Sequence, residues 1–362
     1  MDPVDPMDPM DPGDPVGLVG GLGAPKDLAA VRARSPDMLP EARARQSGSA
    51  ILTAMLTVTL VATLSTSALW LQWRSAEQET YARSSMQAHW ILNGALDWAR
   101  LILREDARLS SVDHLSEPWA IPLQEARLST FLAALPDSST VSTDVPEVFL
   151  SGHIIDLQSR LNVANLVQGG SVDPASLRSF TRLFKLLKLP GAELTGMIEQ
   201  LRLMQTATNQ NTASMQGSSQ PLTPQETEQL AWLGLSPTTI DALRPFITLL
   251  PAPTPVNLNT APAEVLYAAI SELEFPAAQR FVTLRDQKHL NALAEVKSLG
   301  AVADPQLNDA QHAVSTHYFE VHCMLRTEEL LTQEVSVLQR EGLKVQVLSR
   351  RAAPYQTQKN PA

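Results

Sequence analysis

The chain has 362 residues, a formal net charge of −10 and a pI near 5.2. Its length allows two or more folded units, since a domain commonly has roughly 100 to 200 residues. The acidic balance disfavours broad attraction to nucleic acid phosphates, which needs clustered Lys and Arg side chains. With one cysteine, Cys323, no intramolecular disulfide can form, and its apolar surroundings predict a small buried side chain.

The first 48 residues are predicted to be a disordered leader. Asp-Pro recurs every third residue in the opening MDPVDPMDPMDPGDP, and a glycine-rich stretch follows. Proline fixes φ, removes a backbone donor and disfavours helix in the residue before it, so this segment should be extended. Arginines accumulate between positions 32 and 45, so the leader ends with positive charge.

The uncharged segment from Gln46 to Trp73 is predicted to be a transmembrane helix. At about 1.5 Å rise per residue it is long enough to cross a hydrocarbon core about 30 Å thick. The arginines before it predict a cytoplasmic N-terminus, and Trp70 and Trp73 are placed like interfacial anchors at the far end. We therefore expect a single-pass inner-membrane protein whose bulk lies in the periplasm.

The helix is predicted to continue beyond the membrane, because no proline interrupts residues 75–106 and apolar residues recur at helical spacing. Trp90 and Leu101 belong to this pattern and could serve a core or an interface; of the two, we expect a core against a sheet. Residues 142–167 combine β-branched residues, a turn signal at Gly152 and alternating apolar residues. This combination predicts a β-hairpin.

A helical region is predicted next, with Asp173 as the N-cap and Pro174 in the first turn. Helical patterns run to about residue 300, interrupted by a polar loop at residues 206–220 and by prolines between 251 and 255. Residues 317–351 then return to three alternating runs separated by short turns, which predict strands. The order predicts an α+β protein with an all-helical region inserted into a sheet unit.

Small residues before the apolar run, the long N-terminal helix and the C-terminal strands together resemble the type IV pilin-like proteins called pseudopilins. Their leader is cut on the cytoplasmic side, before the hydrophobic segment. Gly48 matches the residue after which prepilin peptidase cuts. The resemblance implies that Ser49 becomes the N-methylated first residue of the mature chain.

Three stretches are similar to the type II secretion minor pseudopilin called general secretion pathway protein K: DLQSRLNVANL, LRPFITLLPAPTPVNLNTAPAEVL and VSVLQREGLKVQVLSRR. The similarity extends from about Arg45 to about Arg351. In ordinary pilins a glutamate at the fifth mature position pairs with the N-terminal amine of a neighbouring subunit, whereas here that position is Thr53. The residues that match the structural motifs of the family are Asp156, Leu157, Asn162, Asn257, Asn259, Thr260 and Pro262.

The resemblance implies a pilin-like fold with a SAM-like or helix-hairpin-helix-like insertion. The implied organisation is a leader at 1–48, the transmembrane half of the helix at 49–73, its periplasmic half at 74–108, the first part of the sheet domain at 109–168, the inserted helical domain at 169–312, the completing strands at 313–351 and a disordered tail at 352–362.

The same resemblance implies a role at the tip of the pseudopilus, where the chain caps the minor pseudopilins I and J and helps to initiate assembly. Further implied partners are the major pseudopilin, the inner-membrane assembly platform, prepilin peptidase, and the secretin or exported substrates. Family members can bind calcium, but residues 205–220 lack the clustered carboxylates that this cation prefers. A metal site is therefore not assigned.

Two other classes of protein compete with this one. NLNTAPAEVL also resembles the opening of helix-hairpin-helix DNA-binding modules, but Leu273, Glu274 and Phe275 replace the expected glycines, and the glutamate would repel phosphate. Asn257, Asn259 and Thr260 are predicted instead to cap a helix that starts near Pro262. An uncut, signal-anchored periplasmic interaction protein is the remaining alternative.

An enzyme is not predicted. His312, His317 and His322 are spaced by five, which does not place them on one helical face, and no HExxH motif or cysteine cluster accompanies them. The chain also has no G-x-S-x-G, Walker or dinucleotide-binding glycine pattern. We expect an interaction protein without catalytic residues.

Overall fold

The computed structural model describes residues 49–133, 147–211, 224–300, 306–327 and 331–353. The predicted leader with Gly48, residues 212–220 of the predicted polar loop and residues 354–362 of the predicted tail lie outside this part of the chain. Two compact units are distinguished, one ending at Trp70 and the other beginning at Leu71.

The described part of the first unit is the start of helix α1, which runs over 61 residues, Ser49–Leu109. Every side chain from 49 to 70 is exposed, and this stretch is long and apolar enough to cross a membrane. Its hydroxyls bond within the helix: the Thr53 hydroxyl donates to the carbonyl oxygens of Ser49 and Ala50 at 2.9 and 3.0 Å. The prediction of one long uninterrupted helix is confirmed.

The second unit contains an antiparallel sheet of five strands. They are β1 (Leu123–Arg127), β2 (Phe149–Asp156), β3 (Tyr318–Arg326), β4 (Leu331–Glu341) and β5 (Lys344–Ala353). Their order in the sheet is β1-β2-β3-β4-β5. The chain leaves the sheet after β2 and returns to it at β3, so the two strands that flank the helical region are direct neighbours.

The predicted hairpin within residues 142–167 is wrong. Strand β2 pairs with β1 and β3. It is followed by short 3₁₀ turns at Leu157–Ser159 and Val163–Asn165, and the two-residue strand between them, Leu161–Asn162, pairs with Ile247–Thr248 and not with β2. Gly152 is not a turn residue but lies inside β2, opposite Cys323. A Cβ atom at this position would lie 2.6 Å from the carbonyl oxygen of His322, so glycine permits a close approach of two strands.

The second part of α1 packs on this sheet through one face. Leu92, Leu96, Ala99 and Leu103 recur at helical spacing and are buried with Phe319 of β3. Trp90 and Leu101 lie on the opposite face, where their side chains are 69% and 44% exposed. The prediction that these two residues pack in the core is therefore wrong, whereas the predicted burial of Cys323 is confirmed.

The helical region between β2 and β3 has its own hydrophobic core. A short helix, α2 (Leu128–Ala133), lies outside this region and follows β1. The helices of the region itself are α3 (Pro174–Leu186), α4 (Gly191–Asn211), α5 (Pro237–Leu243), α6 (Ala263–Ala269) and α7 (Phe275–Gln287). As predicted, Asp173 caps α3 by accepting from the Ser176 amide at 2.7 Å. The region is not wholly helical, because it contains strands of two residues each, such as Val256–Asn257.

Candidate functional site

The outward face of α1 in the second unit is a candidate contact surface. Met86, Trp90, Gly94 and Leu101 follow one another at helical spacing on the side away from the sheet, and we call them the outer stripe. Met86 and Trp90 are each more than 60% exposed. Aromatic and apolar side chains in such a stripe are typical of surfaces that bind other proteins.

A groove of about 420 Å³ lies beside the outer stripe, between α1 and the turn that joins β4 to β5. Leu101 and Leu343 supply apolar side chains to it, and Asp97, Arg104 and Lys344 supply charges. Arg100 closes the groove by donating from Nε and Nη2 to the Val345 carbonyl oxygen at 3.3 and 3.0 Å.

A buried polar junction connects the sheet to the helical region, and Asp156 lies at its centre. This carboxylate, at the end of β2, accepts from the Gln158 amide at 2.7 Å, from Asn257 Nδ2 at 2.9 Å and from the Thr260 hydroxyl at 2.6 Å. Burial raises its pKa, and the hydrogen bonds from Thr260, Thr316 and Asn257 oppose that rise. Asp156 thus joins the last sheet residue to the motif VNLNT.

The motif residues do not act as helix caps, which corrects the sequence prediction. Asn257 Nδ2 also donates to the Asp113 carbonyl oxygen at 3.1 Å, and Asn259 uses its side-chain amide to bond both backbone groups of Leu290, each at 2.9 Å. Pro262 occupies the N-cap position of α6 and makes no side-chain cap. These side chains therefore fix loops that are distant in the sequence.

Asn162 organises a second loop in the same way. Its Oδ1 accepts from the amides of Ala164 and Leu250 at 3.0 and 3.2 Å, and its Nδ2 donates to the Ala252 carbonyl oxygen at 2.8 Å. Leu157, next to the junction, is buried in a small apolar cluster with Leu250 and Tyr318. Asn162 therefore holds the start of the helical region against the proline-rich segment at 251–255, and Leu157 packs beside it against Leu250.

Four carboxylates and the Arg340 guanidinium are buried around this junction, and the buried Arg285 guanidinium donates to the carbonyl oxygens of Leu258 and Ala261 beside it. Arg340 of β4 donates from Nη1 to Asp106 at 2.9 Å and from Nη2 to Asp113. Glu117 accepts from the Trp119 indole at 2.7 Å and from the His114 amide at 3.0 Å. Asp156 is the fourth carboxylate.

Asp106, Asp113 and Glu117 form the one group of three or more potential metal ligands found in the part of the chain that the structure describes, with their oxygens within 4.8 Å of one another. The cation between two of these carboxylates is the Arg340 guanidinium. Burial raises the pKa of Asp106 to about 6, with a further rise from Glu117, while Arg340 lowers it. Burial also raises the pKa of Glu117.

The histidines discussed in the sequence lie in separate surroundings. His312 is buried and contacts the Ala269 carbonyl oxygen, whereas His322 stacks on His153 of β2 with ring centres 4.5 Å apart and pairs with Glu320 at 2.6 Å. Burial lowers the pKa of His153 and of His312. His322 therefore lies beside His153, which is far from it in the sequence, and not beside His312.

Sequence reasoning did not single out Asp113, Thr316 or Arg340, although all three join the junction. Asp113 accepts from the Thr316 amide at 2.7 Å, and Arg340 Nη2 donates to the Thr316 carbonyl oxygen at 3.1 Å. Arg340 did carry a signal, because alternation along β4 places its charge on the same inward face as Leu338. Asp113 lies in an irregular loop and carries no comparable signal.

Comparisons with known proteins agree with this architecture. Two family models described as "Type II secretion system (T2SS), protein K" match residues 159–252 and 256–316. A "Type II secretion system protein K" from Pseudomonas aeruginosa is 27% identical over 331 residues, covering 85% of this chain and 93% of the relative. In the crystal structure of the GspK-GspI-GspJ complex from enterotoxigenic Escherichia coli, the similar chain has a TM-score of 0.54 and 17% identity, with 78% of this chain and 100% of that chain covered.

The long exposed helix, the interrupted sheet and these matches define the class of the chain as a pseudopilin of type II protein secretion. Within that class, the chain is similar to protein K, whose two family models match its helical region and whose Pseudomonas aeruginosa member aligns with most of its length. The resemblance predicted from the three sequence stretches is confirmed. The two matched segments together cover the helical region and the motif VNLNTAPAEVL.

Proposed function

We propose that the chain is the minor pseudopilin that caps the pseudopilus tip together with minor pseudopilins I and J and helps to initiate its assembly. Prepilin peptidase would cut between Gly48 and Ser49 in the inner membrane, with the N-terminus cytoplasmic and the globular part periplasmic. The sheet with α1 would be a pilin-like unit, and the helical region a SAM-like insertion. The chain would act by binding, without catalysis, and would meet the assembly platform and the major pseudopilin.

The observation that carries this proposal is the first turn of α1. The fifth residue after Gly48 is Thr53, whose hydroxyl already donates to two carbonyl oxygens of its own helix. It offers no carboxylate to the N-terminal amine of another subunit, so no subunit needs to follow above this one. A subunit with this property fits the end of a filament.

The helical region supports the same position. It is inserted between two neighbouring strands and has a complete hydrophobic core, so it adds a folded body to the sheet unit. A body of this size would obstruct the stacking of a further pseudopilin. The outer stripe supplies the complementary feature, an exposed apolar surface on α1 for the helices of I and J. The complex reported for the structurally similar GspK contains GspI and GspJ.

The experiment is affinity purification of the full tagged chain from membranes that also contain pseudopilins I and J and the major pseudopilin. We expect a 1:1:1 complex with I and J by native mass spectrometry, and tag-directed labels at one end of isolated pseudopili. Labels distributed along the filaments, or a chain recovered without I and J, would contradict the proposal.

Two variants on α1 refine this test. Trp90→Ala is expected to reduce recovery of I and J, because Trp90 is exposed on the outer stripe. The matched control is Tyr81→Ala, which removes an equally exposed aromatic side chain outside the outer stripe. Equal losses for both variants would show that the outer stripe is not the specific contact.

A further inference from the structure

A cavity of about 270 Å³ lies between α1 and the sheet. It shares no lining residue with the groove beside the outer stripe. Strands β2 and β3 form its floor with residues 150–154 and 321–323, and residues between 118 and 123 form one side. The lining residues of α1 are Ala95, Trp98, Ala99 and Ile102.

The floor of this cavity is apolar. Side chains alternate between the two faces of a sheet, and Leu150 and Val321 belong to the core under α1. His153 and His322, one position out of phase with that core, therefore place their rings on the opposite face and line the cavity through their backbone. The backbone polar groups of β2 and β3 bond each other across the ladder. Because a buried water needs two to four polar partners, this cavity favours an apolar occupant over water.

The space exists because small residues meet at this point of the helix–sheet interface. Ala95 and Ala99 lie on α1, and Gly152 in the floor has no side chain. Protein interiors are otherwise close-packed, and an unfilled void lowers stability in proportion to its volume. For comparison, an engineered apolar cavity of about 150 Å³ stays dry and binds benzene. The present cavity is larger.

The cavity is open to solvent at one end and closed by an aromatic ring at the other. Ile121 lines it and is 67% exposed, so a molecule can enter beside this side chain. Trp119 also lines it and is 1% exposed. The indole N–H of Trp119 donates to Glu117 at 2.7 Å, and its ring packs edge-on against Phe319. The ring is therefore held in place as a rigid apolar wall.

We propose that this cavity is a binding site for a small, uncharged apolar molecule of about the size of an aromatic ring. Its lining contains no Asp, Glu, Lys or Arg in the part of the chain that the structure describes, so a charged ligand would lose its hydration without gaining an ion pair. The walls all come from this chain, which suits a free molecule. Its binding would fill the space between α1 and the sheet and stabilise their packing. The proposal does not depend on the function proposed above.

The test uses fluorobenzene as the probe and the full chain in detergent micelles. Its ¹⁹F resonance is followed as protein is added, and we expect saturable binding. Urea unfolding gives a second readout, because a ligand that binds only the folded chain shifts the unfolding equilibrium. At a free probe concentration ten times its Kd, the unfolding constant should fall about elevenfold.

Ala95→Phe places a ring in the cavity from the side of α1. We expect this variant to lose saturable binding and, without any probe, to unfold at a higher urea concentration, since the new ring fills a void. The matched control is Ala82→Phe, which adds the same ring at an exposed position of the same helix and should keep the binding. Fluorobenzene also partitions into micelles, and this contribution is the same for every variant.

If Ala95→Phe does not fold, Ala99→Leu fills the same cavity one helical turn further along. The proposal would be overturned if the unmodified chain showed no saturable binding. Binding that persists equally in the cavity-filling variant would overturn it as well, because the probe would then occupy another place on the chain.

Discussion

Replacement of Asn257 by alanine is predicted to weaken the junction more than any comparable asparagine substitution on the surface. The Asn257 side chain is fully buried and makes three hydrogen bonds, donating to the Asp113 carbonyl oxygen and to Asp156 and accepting from the Asn259 amide. Alanine removes all three bonds. The partners remain in the interior, where water reaches them poorly.

The magnitude follows from these partners. A buried polar group left without a partner costs about 1 to 3 kcal/mol, with the upper end for a charged group such as Asp156. The carboxylate retains its bonds from Thr260 and Gln158, and a water molecule that enters the vacated space can restore part of the rest. We therefore expect a loss of roughly 3 to 5 kcal/mol in the free energy of unfolding.

The assay is urea unfolding of the full chain in micelles, followed by tryptophan fluorescence. Asn291→Ala is the matched control, because Asn291 is exposed and its side chain donates to Glu295 at 3.4 Å. Its effect should lie within about 0.5 kcal/mol of the unmodified chain. If Asn257→Ala is no more destabilising than Asn291→Ala, the junction does not depend on this hydrogen-bond network.

Three further predictions concern the sheet unit. Leu103→Ala should lower the free energy of unfolding by about 2 to 5 kcal/mol in the same urea assay, because this side chain is fully buried between α1 and the sheet; a loss below 1 kcal/mol would refute that placement. Gly152→Ala should lower the free energy of unfolding by about 1 to 3 kcal/mol, because its Cβ would lie 2.6 Å from a backbone oxygen. Gly94→Ala, the control, has open space in a helix and should be neutral or stabilising. Equal effects of the two substitutions would argue against the close strand approach. Cys323 should resist a thiol reagent at pH 8 until urea is added, because burial raises the pKa of its thiol to about 11; rapid labelling of the folded chain would contradict its burial.

The elements with regular periodicity were predictable from the sequence. Helix α1 and strands β3 to β5 repeat apolar residues at constant spacing, and that spacing reports which face is buried. Trp90 shows the limit of this signal, because an aromatic residue on the outer face of a helix looks the same in sequence as one in the core. The exposure of Trp90 depends on which face of α1 the sheet covers, and the sheet covers the opposite face.

The junction was not predictable, for a physical reason. Asn257 and Thr260 precede a helix, where such residues commonly form caps, but their partner Asp156 is about a hundred positions away in the sequence. Local patterns carry no information about such partners. Gly152 gives an ambiguous signal for a similar reason, since glycine occurs both in tight turns and where two strands approach closely.

The mature N-terminus tests most directly whether this chain is a processed pseudopilin, as we propose. The membrane-associated chain would be isolated from cells with and without active prepilin peptidase, and its N-terminal peptide identified by mass spectrometry. We predict a chain that begins at N-methylated Ser49 only when the peptidase is active. A chain that retains Gly48 in both strains would contradict it and would indicate an uncut, signal-anchored envelope protein.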